Sequence, residues 1–187
     1  VNYTRNKIGR LTIRADGLKE KETLGTQTCM WSIAKASLCS KIYYDLDVVN
    51  SHPMMLKSIL DSYGIECLNI TKYVGDRDIL IKFYIEKTGL TRSDIKVLIC
   101  RLFYGGSVRK FMEERSIDTL PDFFQNLEDE LKKVRTELLN KPELLDYRIE
   151  ARKRIDDKSI NKWDNEDGTA LSLFLMTHEC NVLMIMY

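Results

Sequence analysis

Asp45 and Asp47 stand two residues apart in the run Lys41-Ile-Tyr-Tyr-Asp-Leu-Asp-Val-Val49. The run is rich in β-branched and aromatic residues, so it reads as a buried strand, and a side-chain period of two puts both carboxylates on one face. The strand delivers Asp47 to its end, and the chain turns at once through Asn50-Ser51-His52-Pro53. An acid held that way suits a divalent cation. Phosphoryl transfer by two metal ions needs carboxylates on a rigid element, because a hard cation takes oxygen ligands and shares them with the substrate phosphates. Taken alone, the pair serves equally well as an ion-paired structural aspartate.

A second constellation follows in Thr91-Arg-Ser-Asp-Ile-Lys-Val-Leu-Ile-Cys-Arg-Leu-Phe-Tyr-Gly-Gly106. Thr91 with Asp94 approximates a capping box, so a helix should begin at Thr91 with Arg92 in its first turn. At about 100° per residue, Arg92 and Lys96 lie roughly 40° apart on one face, and Tyr104 lies about 80° further round. Two cations on one helical face can grip a triphosphate. An aromatic at the end of that helix, followed by two glycines, can stack on a base while the backbone bends past it. The plainer reading is a solvated basic face over a core helix.

Around these groups the chain organises itself simply. Ile8 to Arg14 partly alternates and meets the turn Ala15-Asp16-Gly17, which predicts a short strand or hairpin, and Thr28 to Leu38 reads as a short helix. Pro53 suits the first turn of a helix running to about Tyr63, closed by Gly64. The rest is almost wholly helical: Tyr73 to Lys87, Thr91 to Tyr104, Val108 to Glu114, Pro121 to Asn140, and Thr169 to the end. Phe123, Phe124, Leu127, Leu131, Val134 and Leu138 keep the helical period, which makes Pro121 to Asn140 a scaffold helix. Tyr147 to Asp167 is highly charged, with Arg148, Arg152, Lys153 and Arg154 close together, and reads as an exposed connection.

The 187 residues, 44% of them hydrophobic, suffice for a buried core in one domain or a two-lobed unit. The 29 basic and 28 acidic residues nearly cancel, so any nucleic-acid contact must come from local clusters. Cys29, Cys39, Cys67, Cys100 and Cys180 are scattered and odd in number, which predicts reduced thiols, no disulfide and no structural zinc. No apolar run has the length of a membrane span and the start does not resemble a secretory signal, so an intracellular place, in the cytoplasm or nucleus of a host, is expected, with no membrane partner. The chain starts at Val1 and stops in the apolar run Val182 to Tyr187. Both ends read as cut.

In order and spacing, Gly-Arg-Leu, a strand Asp, then R-x-x-x-K-x-x-x-x-x-x-x-Y-G resembles the family A (polymerase I-like) DNA polymerases. The likeness covers most of the chain and leans towards divergent viral or mobile-element members. Gly9-Arg10-Leu11 resembles the element whose Arg touches the primer–template minor groove, and Gln27 corresponds to a Gln slightly downstream. Asp47 resembles the metal-binding Asp of motif A. Arg92, Lys96, Tyr104 and Gly105 match motif B, the fingers helix, in type and spacing. The resemblance implies that Arg92 and Lys96 hold the incoming deoxynucleoside triphosphate, Tyr104 packs at the templating base, and Asp47 binds catalytic Mg2+. The run Asp47-Val-Val-Asn-Ser-His52-Pro53 departs from the cellular D-Y-S-Q-I-E and echoes the D-x-x-S-L-Y-P of family B. Both alignments put the residue that screens the ribose 2′-hydroxyl at His52. Cys100 stands where family A often carries an aromatic.

The resemblance implies an α+β, mostly helical fold, a small antiparallel palm sheet with a helical fingers lobe. Residues 1–52 would form part of the palm, with the Gly-Arg-Leu element and the motif A strand. Residues 53–187 would form the fingers and the start of the return to the palm. The expected activity is template-directed DNA polymerisation, with primer–template DNA, dNTP and the rest of the polymerase chain as partners and with Asp47 and Lys96 as catalytic residues. As a fragment the chain would be inactive. Thr169 to Met186 reads either as the helix before motif C or as two strands around His178-Glu179, and the helix is favoured. A reverse transcriptase or RNA polymerase is a neighbouring reading within the enzyme class. The rival from another class is a noncatalytic helical module that binds nucleic acid or a protein partner through Arg148 to Arg154.

Overall fold

The computed structural model describes residues 2–4, 12–14, 50–156 and 165–186. Two strands, β1 (Asn2–Thr4) and β2 (Thr12–Arg14), pair antiparallel with Tyr3 opposite Ile13. Eight α-helices then follow among the described residues: α1 (Ser51–Ser62), α2 (Leu68–Gly75), α3 (Arg77–Thr88), α4 (Arg92–Phe103), α5 (Val108–Arg115), α6 (Asp122–Leu139), α7 (Leu145–Asp156) and α8 (Glu166–Met186). A 3-10 turn, Pro142–Leu144, joins α6 to α7.

The expected α+β fold with a palm sheet is overturned. The described residues form a helical body, and their strands amount to a single ladder of three residue pairs. Such a ladder has too few strands to carry a hydrophobic face of its own. The strand read at Lys41 to Val49 and the helix read at Thr28 to Leu38 lie outside the described residues.

The long helix α6 is the hub. Phe123, Phe124, Leu127, Leu131, Val134 and Leu138 are all buried, as their spacing predicts, and each contributes roughly 1.5–3 kcal/mol by leaving water. Helices α2, α4, α5 and α8 pack on it. Its polar side chains finish the ends of its neighbours. Glu130 accepts from the backbone N–H of Asn69 and Ile70 at 2.9 and 2.8 Å, in the first turn of α2. Glu128, itself buried, accepts from Val108 N at 2.7 Å, the first residue of α5. Arg135 donates to the Leu102 carbonyl at 3.1 Å, in the last turn of α4. Acids thus meet helix N-termini and a cation meets a C-terminus, as the orphan backbone groups and the helix dipole require.

Two boundaries differ from those expected. The helix read as Tyr73 to Lys87 is two helices, α2 and α3, broken at Gly75 and Asp76, a turn-forming pair inside the apolar pattern. The charged stretch after Tyr147 is not a connection throughout. Its first part is α7, whose Ala151 is buried and which packs along α8. Its charges belong to the outer face: Arg152 reaches Glu166 at 3.2 Å and Arg154 reaches Glu150 at 3.0 Å.

Candidate functional site

The motif B segment is α4. Thr91 caps it: the Asp94 N–H donates to Thr91 Oγ1 at 3.1 Å, and the Thr91 N–H donates back to Asp94 Oδ2 at 3.2 Å, a complete capping box. Arg92 and Lys96 both lie on the exposed side. Arg92 is held by α3, its Nη2 donating to Asp78 Oδ1 at 2.6 Å. Arg77 approaches the same carboxylate at 3.8 Å. The Arg92 hydrogen bond, with the charges of Arg92, Arg77 and Lys96, holds the Asp78 carboxyl below its usual value. Two guanidinium groups therefore approach one carboxylate on the α3–α4 surface, with the charge of Lys96 adding to theirs.

The far end of α4 is built by glycine. Tyr104 is the C-cap, Gly105 follows at φ 85°, and Gly106 N donates to the Arg101 carbonyl at 2.7 Å while Gly105 N donates to Leu102 at 3.1 Å. That pair of bonds is a Schellman stop, which needs a left-handed residue at Gly105. The start of α8 seals it. Asn165 Nδ2 donates to the Tyr104 carbonyl at 2.7 Å, while Asn165 Oδ1 accepts from Gly168 N at 2.9 Å. The two glycines thus form a helix stop clamped by Asn165.

Around the Tyr104 side chain three helices converge. Tyr104 Oη is hydrogen-bonded to His52 Nδ1 in the first turn of α1, and the two rings meet edge to face with centroids 5.9 Å apart. Glu179 of α8 stands behind His52. Its Oε2 lies 3.4 Å from His52 Nε2, and its Oε1 accepts from Ser51 Oγ at 2.6 Å. His52 and Glu179 side chains are only 12% and 17% exposed. Next to this cluster, Tyr73 of α2 donates to Asn50 Oδ1 at 3.4 Å, and burial raises the Tyr73 hydroxyl pKa.

Among the sequence-assigned residues, then, His52 and Tyr104 are brought together, although they lie 52 positions apart. Arg92 and Lys96 share the exposed side of the helix that ends at Tyr104, with Arg92 about 18 Å along the axis from it at 1.5 Å per residue. Arg10, Gln27 and Asp47 lie outside the described residues. Among the described residues no group of three or more His, Cys, Asp or Glu side chains is placed to hold a metal ion. None of their helices is long and apolar enough to cross a membrane.

The ambiguous C-terminal segment is resolved: α8 runs unbroken from Glu166 to Met186, so His178 and Glu179 sit in mid-helix and not at a hairpin. His178 packs edge-on against Phe174 at 4.5 Å, and burial lowers its pKa. Sequence reasoning missed Ser51, Asp78, Asn165 and Gly168. For Glu179 the signal was present, a carboxylate inside an apolar helix, but its partners in α1 lie 128 positions away for Ser51. No protein-family model matches the chain, and neither a curated protein nor a solved structure shows significant similarity to it.

Proposed function

We propose that this chain is the nucleotide-selecting part of a template-directed DNA polymerase resembling family A, with α4 as the element that receives the incoming deoxynucleoside triphosphate. The observation that carries the reading is the contact between His52 and Tyr104. The motif spacing assigned these residues separately, one to the sugar and one to the base, and the fold joins them at one spot. Arg92 and Lys96 add exposed positive charge on the same helix, in the order a triphosphate extending from that spot would meet it. In the proposed reaction a primer 3′-hydroxyl attacks the α-phosphate in line and pyrophosphate leaves. These residues bind and orient the nucleotide and stabilise phosphate charge. Asp47 is assigned the Mg2+ role from the sequence alone, by its place at a strand end and by the resemblance.

Titration of the chain with a deoxynucleoside triphosphate and Mg2+ tests the reading, with Arg92→Ala, Lys96→Ala and Asp47→Ala alongside. Magnesium-dependent binding that is weakened in all three supports it. Equal binding in all four proteins, or none in the wild type, moves the assignment to a noncatalytic helical module.

A further inference from the structure

Glu179 faces two residues of α1, one of which, His52, is hydrogen-bonded to Tyr104 at the end of α4. Its Oε1 is fixed by the Ser51 hydroxyl at 2.6 Å, and its Oε2 faces His52 Nε2 at 3.4 Å. That ring nitrogen is buried and has no well-formed hydrogen bond. A neutral imidazole carries one donor and one acceptor, and the group facing one nitrogen decides which is which. A lone pair on Nε2 would point at a carboxylate. A proton there points at it favourably, and Nδ1 is left to accept from the Tyr104 hydroxyl. Ser51 thus fixes one oxygen of Glu179, the other oxygen faces the His52 ring, and His52 is bonded to Tyr104.

We propose that Glu179 is a positioning residue that fixes the Nε2–H form of His52, making His52 and Tyr104 one rigid wall that discriminates deoxyribo- from ribonucleoside triphosphates. The selectivity half rests on the nucleotide reading above. A wall excludes a single hydroxyl only if it cannot give way, and the ring is hydrogen-bonded at Nδ1 to Tyr104 and faced at Nε2 by the Glu179 carboxylate at 3.4 Å, so groups from two other helices flank it.

The chain has two histidines, so nitrogen-15 NMR can read the tautomer of each, with His178 as an internal control. The wild type is expected to show His52 protonated on Nε2. Glu179→Leu should move His52 toward the Nδ1–H form. Glu179→Gln, whose amide oxygen still accepts, should restore the wild-type signature, and Ser51→Ala should produce a smaller shift in the direction of the Leu variant. In parallel, Mg2+-dependent binding of dATP and ATP is compared. The preference for dATP should fall about tenfold in Glu179→Leu and recover in Glu179→Gln. A wild type that binds neither nucleotide overturns the nucleotide reading and the selectivity claim together, while the tautomer still decides the positioning role. A wild type that prefers dATP, with tautomer and preference unmoved in Glu179→Leu and Ser51→Ala, overturns the role of Glu179 alone.

Discussion

Gly168 of α8 lies against the carbonyl oxygen of Tyr104, so closely that a Cβ added to it would come within 2.1 Å of that oxygen. The obstacle is backbone and cannot swing aside, so the N-terminus of α8 would have to move off the end of α4. Gly168→Ala should cost about 1–3 kcal/mol, read as a lower urea midpoint. Gly75→Ala is the control. Its Cβ would meet nothing within 4 Å and it ends a helix, so the same change there should be neutral or stabilise by up to about 1 kcal/mol.

Glu128 shows what α6 contributes beyond its apolar stripe. Its carboxylate is buried, accepts the Val108 N–H at 2.7 Å and meets Lys132 Nζ at 2.7 Å. Glu128→Ala leaves a buried N–H without its acceptor and should cost about 1–3 kcal/mol. Asp129, the next residue, is exposed, and its pairing with Lys132 at 3.9 Å is long. Asp129→Ala should stay within about 0.5 kcal/mol of wild type by the same denaturation measurement.

The helices were legible where local signals agreed. In Asp122–Leu139 the apolar period is continuous and polar residues fill the other face, so position, length and core residues all follow from the sequence. Thr91 and Asp94 marked the start of α4 because capping is a contact three residues long. The palm sheet was built from local strand signals at Ile8 to Arg14 and Lys41 to Val49 together with the resemblance, whereas sheets are made by pairing between distant segments, and among the described residues only Asn2–Thr4 and Thr12–Arg14 pair. Helix α7 was missed because charge density hides a buried stripe as narrow as Ala151. In the site, motif spacing selected His52 and Tyr104, but Glu179, Ser51 and Asn165 enter through tertiary contacts that leave no periodic trace.

The capping box of α4 has a pH signature. The hydrogen bond from Thr91 lowers the Asp94 carboxyl below its ordinary value of 3.8, and Arg115 at 3.0 Å adds to this. A depressed folded-state pKa gives stability that is complete above the unfolded value and is lost as pH falls through the folded one. Asp94→Ala should therefore be less stable than wild type by a constant margin above about pH 5. The margin should shrink below pH 4 and vanish once both folded and unfolded carboxyls are protonated. Thermal melting of the two proteins across pH 2–7 checks this. A margin that grows on acidification would contradict the capping role.

On the nucleotide reading, Asp78 competes with the phosphates for Arg92. In the structure its Nη2 is bound to Asp78 at 2.6 Å, and both side chains are largely solvated, 50% and 70% exposed. A solvated pair of that kind is weak, so it orients Arg92 without locking it away from a triphosphate. On the nucleotide reading, Asp78→Asn should tighten Mg2+-dependent dNTP binding by about two- to fivefold, because the competing charge is removed while the contact geometry is kept. Arg92→Ala should weaken binding about tenfold or more, and the double variant should stay close to Arg92→Ala, since Asp78 then keeps only its weaker interactions with Arg77 and Lys96. Calorimetric titration of the four proteins at one salt concentration separates these outcomes. Tighter binding that persists in the double variant would mean that Asp78 repels the nucleotide directly and does not act through Arg92.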